Sequence, residues 1–301
     1  MLNTDLQIYN RKTGLYETEK IAGSRALKYI YGSGLGRIGL ELLIKRKIYS
    51  YLTGVVCDTG LSRRMIEKFI LDYDINMDEC CEQISHFSSF NSFFARKLKP
   101  QARVFSNNAN ELSSPGDGRL RAWINIDINK LVQIKNMTYS LKELINNEDL
   151  ALEYNKGTCI ILRLAPVDYN RFHFVDSGIC SEKKKIKGKY YSVNPLALNA
   201  ITKILCQNKR EYSIFNSDNF GEILYVEIGA TSVGSIVQTY EPESRVSKGQ
   251  EKGFFKFGGS TIVLFLKKGS VTIDKEILVQ TEKGYETKVY AGETIGKTSK
   301  Q

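Results

Sequence analysis

The 301-residue chain carries 43 Lys and Arg against 33 Asp and Glu, a formal net charge of +10, and 42% of its residues are hydrophobic. That apolar content at this length builds a real core and excludes a disordered chain, while the surplus charge favours an anionic partner, a phospholipid surface or a nucleic acid, without choosing between them. The cysteines Cys57, Cys80, Cys81, Cys159, Cys180 and Cys206 form no CxxC pair and read as reduced thiols; with His86 and His173 the only histidines and no HExxH pattern, a dedicated metal site is not expected.

The opening segment MLNTDLQIYNRKTG is polar and has no apolar core followed by a small-residue cleavage site, so it does not read as a signal peptide. No stretch approaches the roughly 18 to 20 apolar residues of a spanning helix, so contact with a membrane is expected from the side. Residues 24 to 98 read as helical: Leu40, Ile44, Ile48 and Leu52 recur at i, i+4, and Leu61-Ser62 opens a second periodic segment, RRMIEKFILDY. Arg37, Lys45, Arg46 and Lys47 flank the apolar positions of the first helix, which suits a lipid headgroup layer and equally an ordinary helix with a solvated basic face. The helical pattern ends near Lys99-Pro100.

From about Ser113 the texture changes to short β-rich runs punctuated by Gly, Asn and Asp: RLRAWINI, TCIILRL, GEILYVEIGA, GSIVQTY and STIVLFL. A helical insert is expected at 195 to 207, PLALNAITKILCQ. The fold class is therefore α+β, with a helical region over 1–105 that suits contact with a membrane as well as an ordinary solvated role, and a β-rich region over 106–301.

Three segments stand out. Ser113-Ser114-Pro115-Gly116-Asp117-Gly118 is a tight turn displaying one carboxylate, and taken alone it is simply a turn. LRLAPVDYNRFHFVDSG, residues 162 to 178, sets His173 between Phe172 and Phe174 with Asp168, Arg171 and Asp176 close by. A lone strand histidine is commonly a packed core residue, yet imidazole chemistry in this chain must use His86 or His173, and His86 lies in a Phe-rich helical stretch. The third, GFFKFGGST, places two glycines before Ser260 at the start of an apolar strand. A β-bulge or hairpin corner would explain it, and so would a strained Gly-Ser peptide built for an N→O acyl shift.

Five segments in order, FNSFFARKLKPQAR, SSPGDGRL, RLAPVDYNRFHF, VEIGATSVGSI and KGFFKFGGST, resemble the phosphatidylserine decarboxylases, and the Gly-Gly-Ser-Thr processing site resembles the second type of that family. The resemblance implies lipoyl-carrier-like sandwich modules and a triad in which Asp117 orients His173, and His173 deprotonates Ser260 for attack on the Gly259 carbonyl. It implies a cut between Gly259 and Ser260 into chains 1–259 and 260–301, which stay together as a heterodimer, with a pyruvoyl group made from Ser260 as the covalent cofactor. It further implies that the substrate amine forms a Schiff base with that ketone, which takes up the electron pair released with carbon dioxide, so that phosphatidylserine becomes phosphatidylethanolamine. Phospholipid and a membrane surface are the implied partners, and the implied location is peripheral, on the cytoplasmic face of the cell membrane.

One position departs from the family pattern: many members carry a histidine three residues before the base, where this chain has Asn170, a candidate substrate-binding residue. Two rivals share the sequence features, a pyruvoyl decarboxylase for another amino-acid headgroup and an uncleaved lipid-surface binding protein. A serine hydrolase lacks its GxSxG elbow here, and no standard nucleic-acid motif is present.

Overall fold

A computed structural model describes residues 7–19, 54–134, 137–193, 197–198, 201–230 and 236–299. The basic helix expected around Arg37, Lys45, Arg46 and Lys47 lies outside these residues, as do parts of the expected 195–207 helix and of the VEIGATSVGSI segment. The structure is mixed α and β, with strands dominating.

The first described residues correct the expectation of a helical region reaching back to the N-terminus. β1 (Gln7–Asn10) and β2 (Leu15–Thr18) form an antiparallel hairpin. Ile8 and Asn10 are buried, a period of two that a strand satisfies and a helix does not. Among the described residues helical structure follows this hairpin from residue 54 on and includes α1 (Arg64–Tyr73), ended by Asp74 at φ 54°, and α2 (Phe90–Phe94), closed at its start by a reciprocal Ser89–Ser92 capping box. Ile66, Phe87, Phe90, Phe93 and Phe94 bury against one another as a separate small core.

After this come β3 (Glu111–Ser113), β4 (Gly118–Ile124) and the hairpin β5 (Leu131–Ile134) and β6 (Met137–Tyr139). Helices α3 (Leu141–Ile145) and α4 (Glu148–Leu152) lead to β7 (Thr158–Leu164) and β8 (Arg171–His173). β9 (Gly178–Cys180), β10 (Lys184–Ile186), α5 (Ile204–Gln207), β11 (Arg210–Ser217) and β12 (Gly221–Gly229) follow. The last third supplies β13 (Ile236–Gln238), β14 (Arg245–Val246), β15 (Glu251–Phe255), β16 (Ser260–Leu266), β17 (Val271–Ile273), α6 (Lys275–Glu282), β18 (Glu286–Val289) and β19 (Thr294–Thr298). Lys203, at φ 55°, separates α5 from the residues before it, so the described part of the expected 195–207 helix is interrupted.

Among the described residues eleven strands make one sheet in the order β14-β9-β11-β12-β16-β7-β4-β18-β1-β2, with β10 beside β11. Alternation along its central strands sends Ile160, Leu162, Ile262 and Leu264 to one core and Cys159, Val263 and Phe265 to the other. Helices α3 to α5 cover the second face; α6 and the three-stranded sheet β13-β15-β8 cover the first. Ser260 shares the parity of Ile262 and Leu264, so it belongs to the face on which Phe172 and Phe255 pack.

Candidate active site

His173 closes β8, whose partner is β15, in register His173↔Glu251 and Arg171↔Phe254. Three backbone-level contacts hold it. Its N–H donates to Pro115 O at 2.8 Å, its carbonyl accepts from Tyr225 Oη at 3.1 Å, and its ring Nδ1–H donates to Gly249 O at 2.9 Å. Tyr169 stacks on the ring at 5.8 Å and Phe105 tilts against it at 5.4 Å. With Nδ1 occupied by a carbonyl, the proton is fixed there and Nε2 carries the lone pair; that atom is buried and has no partner among the described residues. Burial is the larger influence on the ring and pushes its pKa below the ordinary histidine value, against the Gly249 bond and the charges of Glu251 and Asp117, which raise it.

Asp117 is buried on the turn that bonds to His173 through Pro115. Its carboxylate is taken by Arg103 in a two-pronged pair, Nε to Oδ1 at 2.8 Å and Nη2 to Oδ2 at 2.6 Å, and by the Ala291 N–H at 2.9 Å. Arg103 also meets Glu79 at 3.0 Å. The structure thus brings the Asp117 turn and the His173 strand together at the backbone, and no hydrogen bond joins the two side chains.

Ser260 is the first residue of β16, paired to Gly229 on β12 and to Leu164 on β7. Gly258 sits at φ 142°, a backbone region open to glycine, and turns the chain into the strand. The Ser260 Oγ is buried without a partner among the described residues and makes no hydrogen bond to His173. Leaving a buried hydroxyl unbonded costs about 1–3 kcal/mol; the hydroxyls of Ser113, Tyr139, Tyr154, Ser213 and Thr287 are buried in the same state, so what distinguishes Ser260 is its place at the head of a central strand directly behind the Gly258 turn.

The loop before Ser260 is clamped by α2, a relation the sequence did not suggest. Phe257 N–H donates to Asn91 Oδ1 at 2.9 Å, and the Phe257 ring meets Phe90 and Phe94 edge-on at 5.0 and 5.2 Å. Lys256 pairs with Asp58 at 3.0 Å. Arg171 ties the end of the same helix to β8 by donating to Ala95 O at 2.6 Å from Nη2, and it pairs with Glu251 at 2.7 Å.

Asn170 is fully buried, donates from Nδ2 to Asp168 O at 2.7 Å and leaves Oδ1 without a partner among the described residues. Asp168 pairs with Arg119 and accepts from the Ala165 N–H at 2.7 Å. Asp176, grouped with His173 by sequence proximity, instead fastens a distant turn through Ser217 Oγ at 2.6 Å and Asn219. Arg103 and Gly249 were not singled out from the sequence. Gly249 contributes only a carbonyl, and the sole hint of Arg103 was its place in the FNSFFARKLKPQAR segment.

The family model described as phosphatidylserine decarboxylase matches residues 90–297. Curated relatives match almost the whole chain. The phosphatidylserine decarboxylase proenzyme of Ruminiclostridium cellulolyticum is 62% identical over 97% of this chain and 97% of its own length. Proteins of the same name from Clostridium perfringens and Clostridium botulinum are 58% and 53% identical, each over 97% of this chain and 99% of its own.

Proposed function

The chain belongs to the phosphatidylserine decarboxylase family and is a proenzyme that converts phosphatidylserine to phosphatidylethanolamine and carbon dioxide, and we propose that it does so with a pyruvoyl group made from its own Ser260. The observation that carries this reading is the unbonded, buried Ser260 hydroxyl at the head of a central strand, directly after a glycine-only turn.

In the proposed self-cleavage, Ser260 Oγ gives its proton to the free Nε2 of His173 and attacks the Gly259 carbonyl carbon. The Gly259–Ser260 C–N bond breaks as the ester forms, and the nitrogen of residue 260 takes the proton. Loss of the Cα hydrogen of residue 260 then expels the Gly259 carboxylate from Cβ, and hydrolysis releases the nitrogen as ammonia. Gly249 fixes the tautomer that leaves Nε2 basic; Asp117, neutralised by Arg103, holds the turn under β8 and adds its field to the histidine. The pyruvoyl group, once present, supplies an uncharged electrophilic carbonyl that draws electron density from the carbon losing carbon dioxide. Tyr169, Phe172 and Phe255, packed around β8, keep water from the reacting region.

The finer family expectations fit this frame. The reading keeps a division between residues 105 and 106, lipoyl-carrier-like sandwich modules and a cut at Gly259–Ser260, and the large sheet with a core on each face supports a layered β-rich region. Both product chains would stay associated, because β16 lies between β12 and β7 while β18 lies between β4 and β1. For a lipid surface, the candidates are the exposed apolar side chains Val55, Val56, Leu61 and Met65, close in sequence to the exposed Arg63 and Arg64. No helix among the described residues is long and apolar enough to cross a membrane. A peripheral station on the cytoplasmic face of the cell membrane suits these side chains. The test of the whole reading is the intact mass under denaturing conditions: wild type should give chains 1–259 and 260–301, the latter with a blocked start, and Ser260→Ala a single full-length chain. A single wild-type chain that still releases carbon dioxide would overturn it.

A further inference from the structure

Arg96 lies two residues beyond α2 and is 5% exposed, yet its Nε and Nη1 are buried with no hydrogen-bond partner among the described residues. The other buried arginines are anchored. Arg119 and Arg163 share Glu19, Arg171 holds Glu251, and Arg210 donates from Nη1 to Asn208 O at 2.9 Å. Arg96 is held in place without being neutralised: its N–H donates to Phe93 O at 3.0 Å, its carbonyl accepts from Arg171 Nε at 3.3 Å, and its guanidinium carbon sits 5.1 Å from the Phe93 ring centre. Asp117 and Asp168 both act on it electrostatically, but each already has a guanidinium of its own, Arg103 and Arg119. A buried guanidinium with two unpartnered nitrogens, within the electrostatic reach of Asp117 and Asp168, is costly in the free protein and gains a partner when an anion arrives.

Resting on the decarboxylase reading, we propose that Arg96 is the residue that binds the phosphodiester of the lipid headgroup. The substrate brings two anions to the site, that phosphodiester and the departing carboxylate. A cation held against the carboxylate would favour the charge that the reaction must disperse, stabilising the ground state more than the transition state. The phosphodiester keeps its charge throughout, so a guanidinium on it strengthens binding uniformly and positions the serine moiety without opposing loss of carbon dioxide.

The test uses the processed two-chain enzyme, wild type, Arg96→Gln and Arg96→Lys. Intact mass should show the 260–301 chain in all three, because Arg96 has no part in self-cleavage. The Tm of Arg96→Gln without substrate should equal or exceed that of wild type, since the substitution removes an uncompensated buried charge. On a soluble dihexanoyl phosphatidylserine, KM should rise about 10- to 100-fold in Arg96→Gln, the range expected for one charged hydrogen-bonding contact, with kcat changed little. Arg96→Lys should fall between. Calorimetric titration with glycerophosphoglycerol, a phosphodiester that carries neither amine nor carboxylate, should show binding to wild type and none to Arg96→Gln. An unchanged KM, a collapse of kcat at constant KM, loss of glycerophosphoglycerol binding without any KM change, or a Tm drop with failed processing would each overturn the assignment. Failure of the decarboxylase reading is separately visible, as wild-type enzyme that releases no carbon dioxide from the lipid.

Discussion

The Nδ1 of His173 lies 2.9 Å from the carbonyl oxygen of Gly249, so a backbone carbonyl holds the tautomer that a carboxylate holds in a serine protease. The aspartate of the expected triad is engaged elsewhere, with Arg103 and the Ala291 N–H. A carbonyl selects the same tautomer as a carboxylate, but it brings no full negative charge, so it holds the ring less strongly and stabilises an imidazolium less. That suits the proposed role of His173, a base that works once per molecule, in cofactor formation, where turnover speed is not at stake.

Gly249 should tolerate no side chain. It sits at φ +81°, and a Cβ there would lie 2.7 Å from the Phe105 ring, which itself packs on His173. Gly249→Ala is expected to lower stability by about 1–3 kcal/mol through backbone strain and to slow appearance of the small chain at least tenfold. A time course of the 260–301 chain after cell-free synthesis reads the second effect, with chemical unfolding for the first. Processing at the normal rate would show that the Gly249 carbonyl does not set the base.

The pH dependence has a defined sign. Burial depresses the His173 pKa in the folded state below 6.5, so between that lower value and 6.5 the unfolded chain binds more protons than the folded one. The stability contributed by keeping this ring neutral is fully present above 6.5 and is lost as pH falls through the window toward the folded-state value. Self-cleavage should follow the folded-state pKa: its rate should stay on the plateau as pH drops from 7 past 6.5 and fall only further down. A midpoint at or above 6.5 in the pH profile of cleavage would mean that the base is not a buried neutral His173.

The strands were readable because their composition is extreme. RLRAWINI, TCIILRL, GEILYVEIGA and STIVLFL all became sheet strands, since each is a run of β-branched and aromatic residues between turn residues. The hairpin at 7–18 was hidden because its stabilising partner, β18, lies at the other end of the chain; Ile8 pairs with Glu286. His173 and Ser260 stood out locally, but a packed core histidine and a hairpin corner explained them equally well, and their chemical roles rested on the family resemblance. Arg103 was not marked out, because nothing in a local window says that its guanidinium reaches Asp117, nor that Asn91 reaches Phe257 N–H across the whole catalytic region.

Arg103 and Asp117 should behave as a coupled pair. Arg103→Ala leaves a buried carboxylate with one N–H donor, and breaking such a pair costs about 3–5 kcal/mol. Asp117→Asn should cost less, and adding Arg103→Ala to Asp117→Asn less again than Arg103→Ala alone, a coupling that urea unfolding of the four proteins in a double-mutant cycle measures. Additive effects would show that the pair contributes no mutual energy. Processing should slow in Asp117→Asn, because the turn beneath β8 loses its anchor.

The last expectation separates making the cofactor from using it, at two positions three residues apart. His173→Ala removes the free base nitrogen beside the turn, and loss of such a member commonly costs several orders of magnitude, so cleavage should stall at the full-length chain. Asn170 is different: it is buried on the side of Phe172, its Nδ2 already bonded to the Asp168 carbonyl and its Oδ1 unpartnered among the described residues. A histidine there can keep the Asp168 bond from one ring nitrogen and present the other where Oδ1 now points. Asn170→His should therefore leave cleavage intact while holding or raising turnover of phosphatidylserine, because imidazole can deliver the proton that replaces carbon dioxide whereas an amide cannot. Asn170→Ala should also cleave but decarboxylate more slowly than wild type. Intact mass follows the first step and release of labelled carbon dioxide the second; a blocked cleavage in Asn170→His, or a normal small chain in His173→Ala, would reverse the division of labour between these two side chains.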